Sequence, residues 1–365
     1  MGRIISTGTV VPVHAADQDH ILEFMCAAYN NDTASRKLRI LFHSSGIRTR
    51  HSVVPDFGLG KPVYGNFFGN GTPDIEKRML LYRNQAAALA IKAIKNLFNK
   101  LGSTIQTFGI THLITVTCTG MYSPGIETEI MEKLQLPFDI FHTSVNFLGC
   151  NAAFPAQKIA DSFTRSDKHA RVLVVCVELC TIHFQPKSDN DNLLSNTIFG
   201  DGAAALLMVS EEFASSNGLS GLSVKGFNSG VLGDGKELMG WNIKPLNFEM
   251  VLNASVPAFI GEKIKEFVSE TKRVLDISPG AIDKWAVHPG GRKILDNVKK
   301  ELGLTDDDMA NSYRVLREYG NMSSPTILFI INLIMDQMPA PGEQVLAVGF
   351  GPGISVDTIL YCYER

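Results

Sequence analysis

The chain has 365 residues, 45% of them hydrophobic and 19% charged, with 34 Lys plus Arg, 37 Asp plus Glu and a formal net charge of −3. At about 150 residues per domain this length fits two domains, or one large unit with two similar halves. So even a charge balance excludes nucleic-acid binding through a global basic field, and ordinary usage of Gly and Pro excludes fibrous and disordered classes.

Residues 3 to 11 alternate like an internal strand, and Pro12, His14 and Asp17 interrupt any secretory leader core. Ile75 to Leu101 is a long, Ala-rich amphipathic helix. A β-branched run, His112 to Thr117, precedes a second helical pattern at Ala152 to Phe163. Arg171 to Val177 and Ala203 to Val209 follow as apolar runs that read as buried parallel strands. The polar stretch Ser210 to Gly221 marks a boundary, dividing the chain into halves 1–212 and 213–365. Asn228 to Gly240 reads as a second glycine-rich connection. Beyond it, helices at Val256 to Leu275 and Ile294 to Leu302 alternate with strands at Lys284 to Val287 and Gln344 to Val348. Such alternation predicts α/β layers around a buried sheet.

The longest apolar run, Thr326 to Met335, is shorter than the roughly 20 residues of a membrane span and contains Asn332. Cysteines 26, 118, 150, 176, 180 and 362 lie mostly in apolar strand-like runs and match neither a disulfide framework nor a zinc knuckle. The expectation is a cytoplasmic protein without metal and without membrane contact.

Three short segments could carry chemistry. Cys150, in Phe147-Leu-Gly-Cys-Asn151, precedes an apolar helix whose positive dipole end would favour a thiolate nucleophile; a buried structural cysteine would give the same local pattern. His288, in Val287-His-Pro-Gly-Gly291, stands where an apolar strand ends, the usual place for ligand sites in α/β sheets. It could act as an imidazolium beside a thiolate or as a donor to an oxyanion, or be a satisfied core histidine. Asn321, in Gly320-Asn-Met-Ser-Ser324, sits before a helix that Ser324 would cap and Pro325 would begin. Its amide could donate to a carbonyl oxygen, or it could be an ordinary turn residue.

In this order, with Phe199-Gly-Asp-Gly-Ala and Gly349-Phe-Gly-Pro-Gly353, these segments resemble the chalcone synthase-like type III polyketide synthases of the thiolase superfamily. The resemblance spans nearly the whole chain. It implies a thiolase-like αβαβα layered fold of two similar halves, with mixed sheets around buried helices, the nucleophilic Cys in 1–212 and the His and Asn in 213–365. It also implies a homodimer that uses an acyl-CoA starter and malonyl-CoA as substrates, with no cofactor. Cys150 would take the acyl group as a thioester. His288 and Asn321 would stabilise the enolate left by decarboxylation of malonyl-CoA, and backbone N–H groups near Cys150 and Gly351 would hold the tetrahedral oxyanion.

The same resemblance makes Phe199 a gate to the cavity and puts the second gate, aromatic in the family, at Met250 or Phe248, with Met250 preferred. Trp241 and His183 stand where smaller cavity residues are usual, and Cys118 matches a cavity cysteine of bacterial members. Ser123, Ser323, Gly351 and Pro352 complete the implied cavity. Lys37 and Arg39 are the implied CoA-phosphate contacts, with Gly290, Gly291 and Arg292, and Arg48 and Arg50 are alternatives. The loosened second gate and Cys118 favour a fatty acyl starter and an alkylpyrone or alkylresorcinol product. A β-ketoacyl-carrier-protein synthase III and a non-catalytic acyl-binding scaffold are the alternatives.

Overall fold

Asp17, Asn31, Asp74, Asp189, Ser210 and Thr305 each stand one residue before a helix and accept a backbone N–H from its first turn. Local chemistry thus sets where these helices start. The structure, a computed structural model, describes residues 1–365. In chain order its elements begin β1 (Gly2–Val10), β2 (His14–Asp17), α1 (Gln18–Tyr29), α2 (Asp32–Ser44), β3 (Thr49–Ser52), α3 (Ile75–Lys100), α4 (Ile105–Phe108), β4 (His112–Thr117), α5 (Ile126–Lys133), β5 (Phe141–Asn146), α6 (Ala153–Ser166) and β6 (Arg171–Leu179). They continue as α7 (Asn190–Ile198), β7 (Asp201–Ser210), α8 (Glu211–Ser216), β8 (Gly221–Val231), β9 (Met239–Ile243), β10 (Phe248–Leu252), α9 (Val256–Val274), β11 (Lys284–Val287), α10 (Arg292–Leu302), α11 (Asp306–Tyr319), α12 (Thr326–Asp336), β12 (Gln344–Gly351) and β13 (Ser355–Glu364).

Nine strands form one sheet in the order β11-β12-β13-β8-β1-β7-β6-β4-β5. The two halves join where β1 meets β8, at Arg3 opposite Ser223 and Ile4 opposite Leu222. Side-chain alternation then builds the layers. Val175 and Val177 face α3 on the outside, whereas Val174 and Cys176 face the central helices α6 and α12. In the second half Ala286 and Ala347 also face this central layer, while Val287 and Val348 face α9 and α10. The result is a five-layer αβαβα arrangement. Helix α12 is apolar on nearly every side because both halves enclose it. No helix is long and apolar enough to cross a membrane.

Strand direction departs from expectation. Only the pairs β4–β5, β4–β6 and β11–β12 are parallel; β7 runs antiparallel to both β1 and β6, and β12 antiparallel to β13. A strand covered on both faces reads as a continuous apolar run in either direction, so composition reports burial and not polarity. Residues 228–231, expected in a connection, instead belong to β8 and pair with residues 355–358 of β13.

Candidate active site

Cys150 is lifted out of the sheet by the turn after β5, in which Phe147 and Gly149 have φ of 59° and 82°. Gly149 has no alternative there, because a Cβ would lie 2.2 Å from Pro352 Cδ. Its N–H donates to Cys118 Sγ at 3.0 Å, which ties the turn to the Cys118 loop.

Asn321 follows Gly320, whose φ of 70° ends α11. The Asn321 Oδ1 accepts the Ser323 N–H at 2.8 Å, and this fixes the amide's orientation. Its Nδ2 lies 3.8 Å from Cys150 Sγ and 3.4 Å from the Gly290 carbonyl. One amide therefore spans the nucleophile turn and the turn that carries His288. His288 continues the β11 ladder by donating its N–H to Val348 O at 2.8 Å. It is fully buried, and neither ring nitrogen has a hydrogen-bond partner. A histidine satisfied within the core would not show this.

Burial opposes charge on both groups. It pushes the Cys150 thiol up to about 11, against hydrogen bonds from Ser323 and Asn321 that lower it. It pushes His288 down to about 3. Against the expected dipole-stabilised thiolate, burial favours the neutral thiol at Cys150, as it favours the neutral imidazole at His288. Helix α6 starts only at Ala153, and a dipole contributes roughly 0.3–1 kcal/mol near its end. Desolvation exceeds it.

Glu178, in β6, is a residue the sequence reading missed. Fully buried, it accepts the N–H groups of Cys118 at 2.9 Å and Thr119 at 3.1 Å, and the hydroxyls of Thr119 at 2.7 Å and Ser324 at 2.6 Å. Burial raises its carboxyl, and these hydrogen bonds hold it back. The Ser324 hydroxyl is thus committed to Glu178 and does not cap α12. The available signal was an acid inside an otherwise uninterrupted apolar strand. A second such residue, Asn151, donates from Nδ2 to Asp357 and, at 3.1 Å, to Ser355 Oγ, fastening the nucleophile turn to β13.

A cavity of about 360 Å³ opens on Cys150 and is lined by Cys118, His183, Phe199, Trp241, Phe248, Met250, Ser323 and Pro352. Ile21, Met25, Val54, Phe57 and Phe184 line it as well. Trp241 and His183 are fixed parts of the wall. Trp241 Nε1 donates to Cys118 O at 2.8 Å, and His183 bonds Thr119 O through Nε2 at 2.8 Å while its Nδ1 accepts the Phe248 N–H at 3.1 Å. That pairing sets the tautomer, and burial pushes His183 down to about 3, so it is neutral. Both Met250 and Phe248 line the cavity, with Phe248 stacked on His183 at 4.6 Å.

Other expected contacts lie elsewhere in this chain. Ser123 is on an exposed loop before α5 and does not reach the cavity. Gly351 is buried against Asn151 Oδ1, which leaves its neighbour Pro352 as the lining residue. Lys37 and Arg39 are exposed on α2 and outside the cavity, Lys37 donating to Asn190 at 3.2 Å. Gly290 and Gly291 form the turn beyond His288 and do not line the cavity. Arg292 lines a separate cleft with Lys299 and Arg317, next to Gly46.

Residues 1–212 match the N-terminal domain, and residues 229–362 the C-terminal domain, of chalcone and stilbene synthases. Over 363 residues the chain is 27% identical to the alpha-pyrone synthesis polyketide synthase-like Pks18 of Mycobacterium tuberculosis, covering 98% of this chain and 89% of that protein. It is 29% identical over 337 residues to polyketide synthase 37 of Dictyostelium discoideum, covering 88% of this chain and 11% of that longer protein. The type III polyketide synthase domain of Dictyostelium Steely1 has a TM-score of 0.87 at 25% identity, covering 100% of this chain and 99% of that one. PKS-I of the brown alga Ectocarpus siliculosus has the same fold, with a TM-score of 0.91 at 24% identity over 99% of this chain and 98% of that one. The matches favour the polyketide branch over a carrier-protein synthase or a scaffold subunit. The chain belongs to the chalcone and stilbene synthase family: it is a type III polyketide synthase, an acyltransferase with the layered thiolase fold.

Proposed function

We propose that this enzyme loads a fatty acyl group onto Cys150, extends it with malonyl-CoA and releases an alkylpyrone or alkylresorcinol. The observation that carries the reading is the placement of Cys150 at an apolar cavity with the Asn321 amide 3.8 Å from its sulfur. Sγ attacks the thioester carbonyl of the starter, its proton passes to neutral His288, and CoA leaves as the thiol. Malonyl-CoA then binds with its thioester carbonyl toward His288 Nε2 and Asn321 Nδ2. The C–C bond to the carboxylate breaks, CO₂ departs, and the bonding pair becomes an enolate held by those two donors. The enolate carbon attacks the acyl-Cys150 carbonyl and expels the thiolate, leaving a β-keto thioester on CoA two carbons longer. The Cys150 N–H, which no backbone carbonyl occupies, supports the assignment of a local oxyanion donor. The scheme uses CoA thioesters as substrates and requires no cofactor.

The apolar lining from Ile21, Met25 and Phe57 supports an alkyl starter, as does the alpha-pyrone activity in the name of the mycobacterial relative. Incubation with malonyl-CoA and a series of medium- and long-chain or aromatic acyl-CoAs, followed by product mass analysis, tests the starter. Alkyl starters are expected to give products growing in two-carbon steps; product from aromatic starters alone overturns the fatty acyl assignment.

We place the enzyme in the cytoplasm, where its six unpaired thiols remain reduced. A homodimer is supported by the sheet edge at β5, beside which Phe138 is 94% and Phe141 49% exposed. Light scattering is expected to give twice the 39.9 kDa chain mass, and a monomer at micromolar concentration would contradict it.

A further inference from the structure

Helix α7 ends at Ile198, and its last carbonyls have no partner within the helix. They also carry the negative end of the helix dipole. Arg50, in β3 and 5% exposed, meets them: Nη1 donates to Asn196 O at 2.8 Å and to Phe199 O at 2.7 Å. Gln18 completes the cap, donating to Thr197 O at 3.0 Å and accepting from Arg50 Nε at 3.0 Å. No carboxylate hydrogen-bonds this guanidinium, although the buried Asp201 carboxyl lies near enough to favour its charge; Phe42 lies 5.5 Å beneath it, and Nη2 is buried without an acceptor. A buried cation whose hydrogen bonds all go to neutral carbonyl oxygens is costly even with Asp201 nearby, and its position coincides with two parts of the site.

The capped segment is the one that carries Phe199 into the cavity wall. It is also bridged to Asn321, whose N–H donates to Ile198 O at 2.9 Å and whose carbonyl accepts the Gly200 N–H at 3.0 Å. The Arg50 stem fills the space above Gly320, where a Cβ would sit 3.1 Å from Cγ and Cδ and 2.7 Å from Ile198 O. One side chain thus touches the backbone before Phe199 and the backbone before Asn321.

We propose that Arg50 is a positioning residue for decarboxylation: by capping α7 it sets the Phe199 segment and, through the backbone bridge, aims the Asn321 amide at the malonyl thioester. Arg50 also lines the cavity, but its hydrogen bonds go to Gln18 and to the Asn196 and Phe199 carbonyls, not to Cys150 or to the Asn321 amide. The inference rests on the assignment of Asn321 to malonyl binding made above.

The test compares Arg50→Met, Arg50→Lys, Gln18→Leu and Asn321→Ala in the full-length enzyme, measuring malonyl-CoA decarboxylation and the rate of Cys150 alkylation by iodoacetamide. Arg50→Met is expected to lower the decarboxylation kcat about 30-fold with KM changed less than about threefold, while Cys150 alkylation stays within about twofold. Arg50→Lys, which keeps a cation against the carbonyls, is expected to recover most of the loss, and Gln18→Leu to lose about fivefold. Should Arg50→Met not fold, Gln18→Leu and Arg50→Lys decide the matter. Wild-type decarboxylation in folded Arg50→Met or Gln18→Leu, with Asn321→Ala impaired, overturns the inference. Equal losses of decarboxylation and alkylation overturn it too, since they indicate general loosening. Wild-type decarboxylation in Asn321→Ala instead removes the functional reading on which it stands.

Discussion

Replacing Cys150 by Ala is expected to abolish polyketide formation while malonyl-CoA decarboxylation continues at a measurable rate. The two activities separate because the geometry gives them different atoms. Elongation needs the sulfur as carrier of the growing chain, whereas breaking the carboxyl bond needs only donors at the thioester oxygen, which the proposed mechanism assigns to His288 and Asn321. Loss of a covalent nucleophile in a comparable constellation costs on the order of 10⁶ in turnover, so product should fall below detection. The Ala side chain leaves a smaller residue at a buried position and keeps the Gly149 turn, and the fold is not at risk. Product mass analysis beside a CO₂-release assay checks both halves of the expectation. Elongated product from the variant would remove Cys150 from the mechanism.

The second large effect is in pH. Alkylation of Cys150 by iodoacetamide should accelerate about tenfold per pH unit from pH 7 to 10, with no plateau in that range. The reactive form is the thiolate, burial holds the thiol up to about 11, and the reactive fraction therefore rises throughout the window. The thiol stands at about 11 with the hydrogen bonds from Ser323 and Asn321 already in place, so burial outweighs them. His288 does not reverse the sign, because its own burial disfavours the imidazolium an ion pair would need. A rate already flat between pH 6 and 8 would show a resting thiolate, with charge pairing stronger than desolvation. In the catalytic cycle the proton must then leave as the starter thioester arrives, so acylation and not only extension is expected to carry a basic limb.

Much of this was written locally. The run at 112–117 and the strand at 284–287 coincide with their strands, and the helices at 75–101 and 256–275 end within a residue of expectation, because patterning and caps act over a few residues. The three reactive segments were legible for a different reason: each combines a turn-forming glycine with one polar side chain at the end of an apolar run. What escaped the sequence were relations between distant segments. Nothing near Ser324 says that its hydroxyl is taken by Glu178, which is 146 positions away. The direction of β7 depends on neighbours, not on its own apolar composition. Ser123, which the resemblance places in a segment reaching across the dimer, is exposed on the loop before α5 and outside its own chain's cavity.

The place of β1 in the sheet has a consequence for synthesis. This strand is buried between β7 and β8, yet roughly 190 residues separate its end at Val10 from the start of β7 at Asp201. At about 5–20 residues per second, a ribosome needs roughly 10–40 s to cover that interval. Throughout it both edges of the strand lack partners, although α3, which packs against Ile5, is complete by residue 100. The central strand of the enzyme, made first, thus gains its β7 partner only when Ser210 has been made and its β8 partner later still.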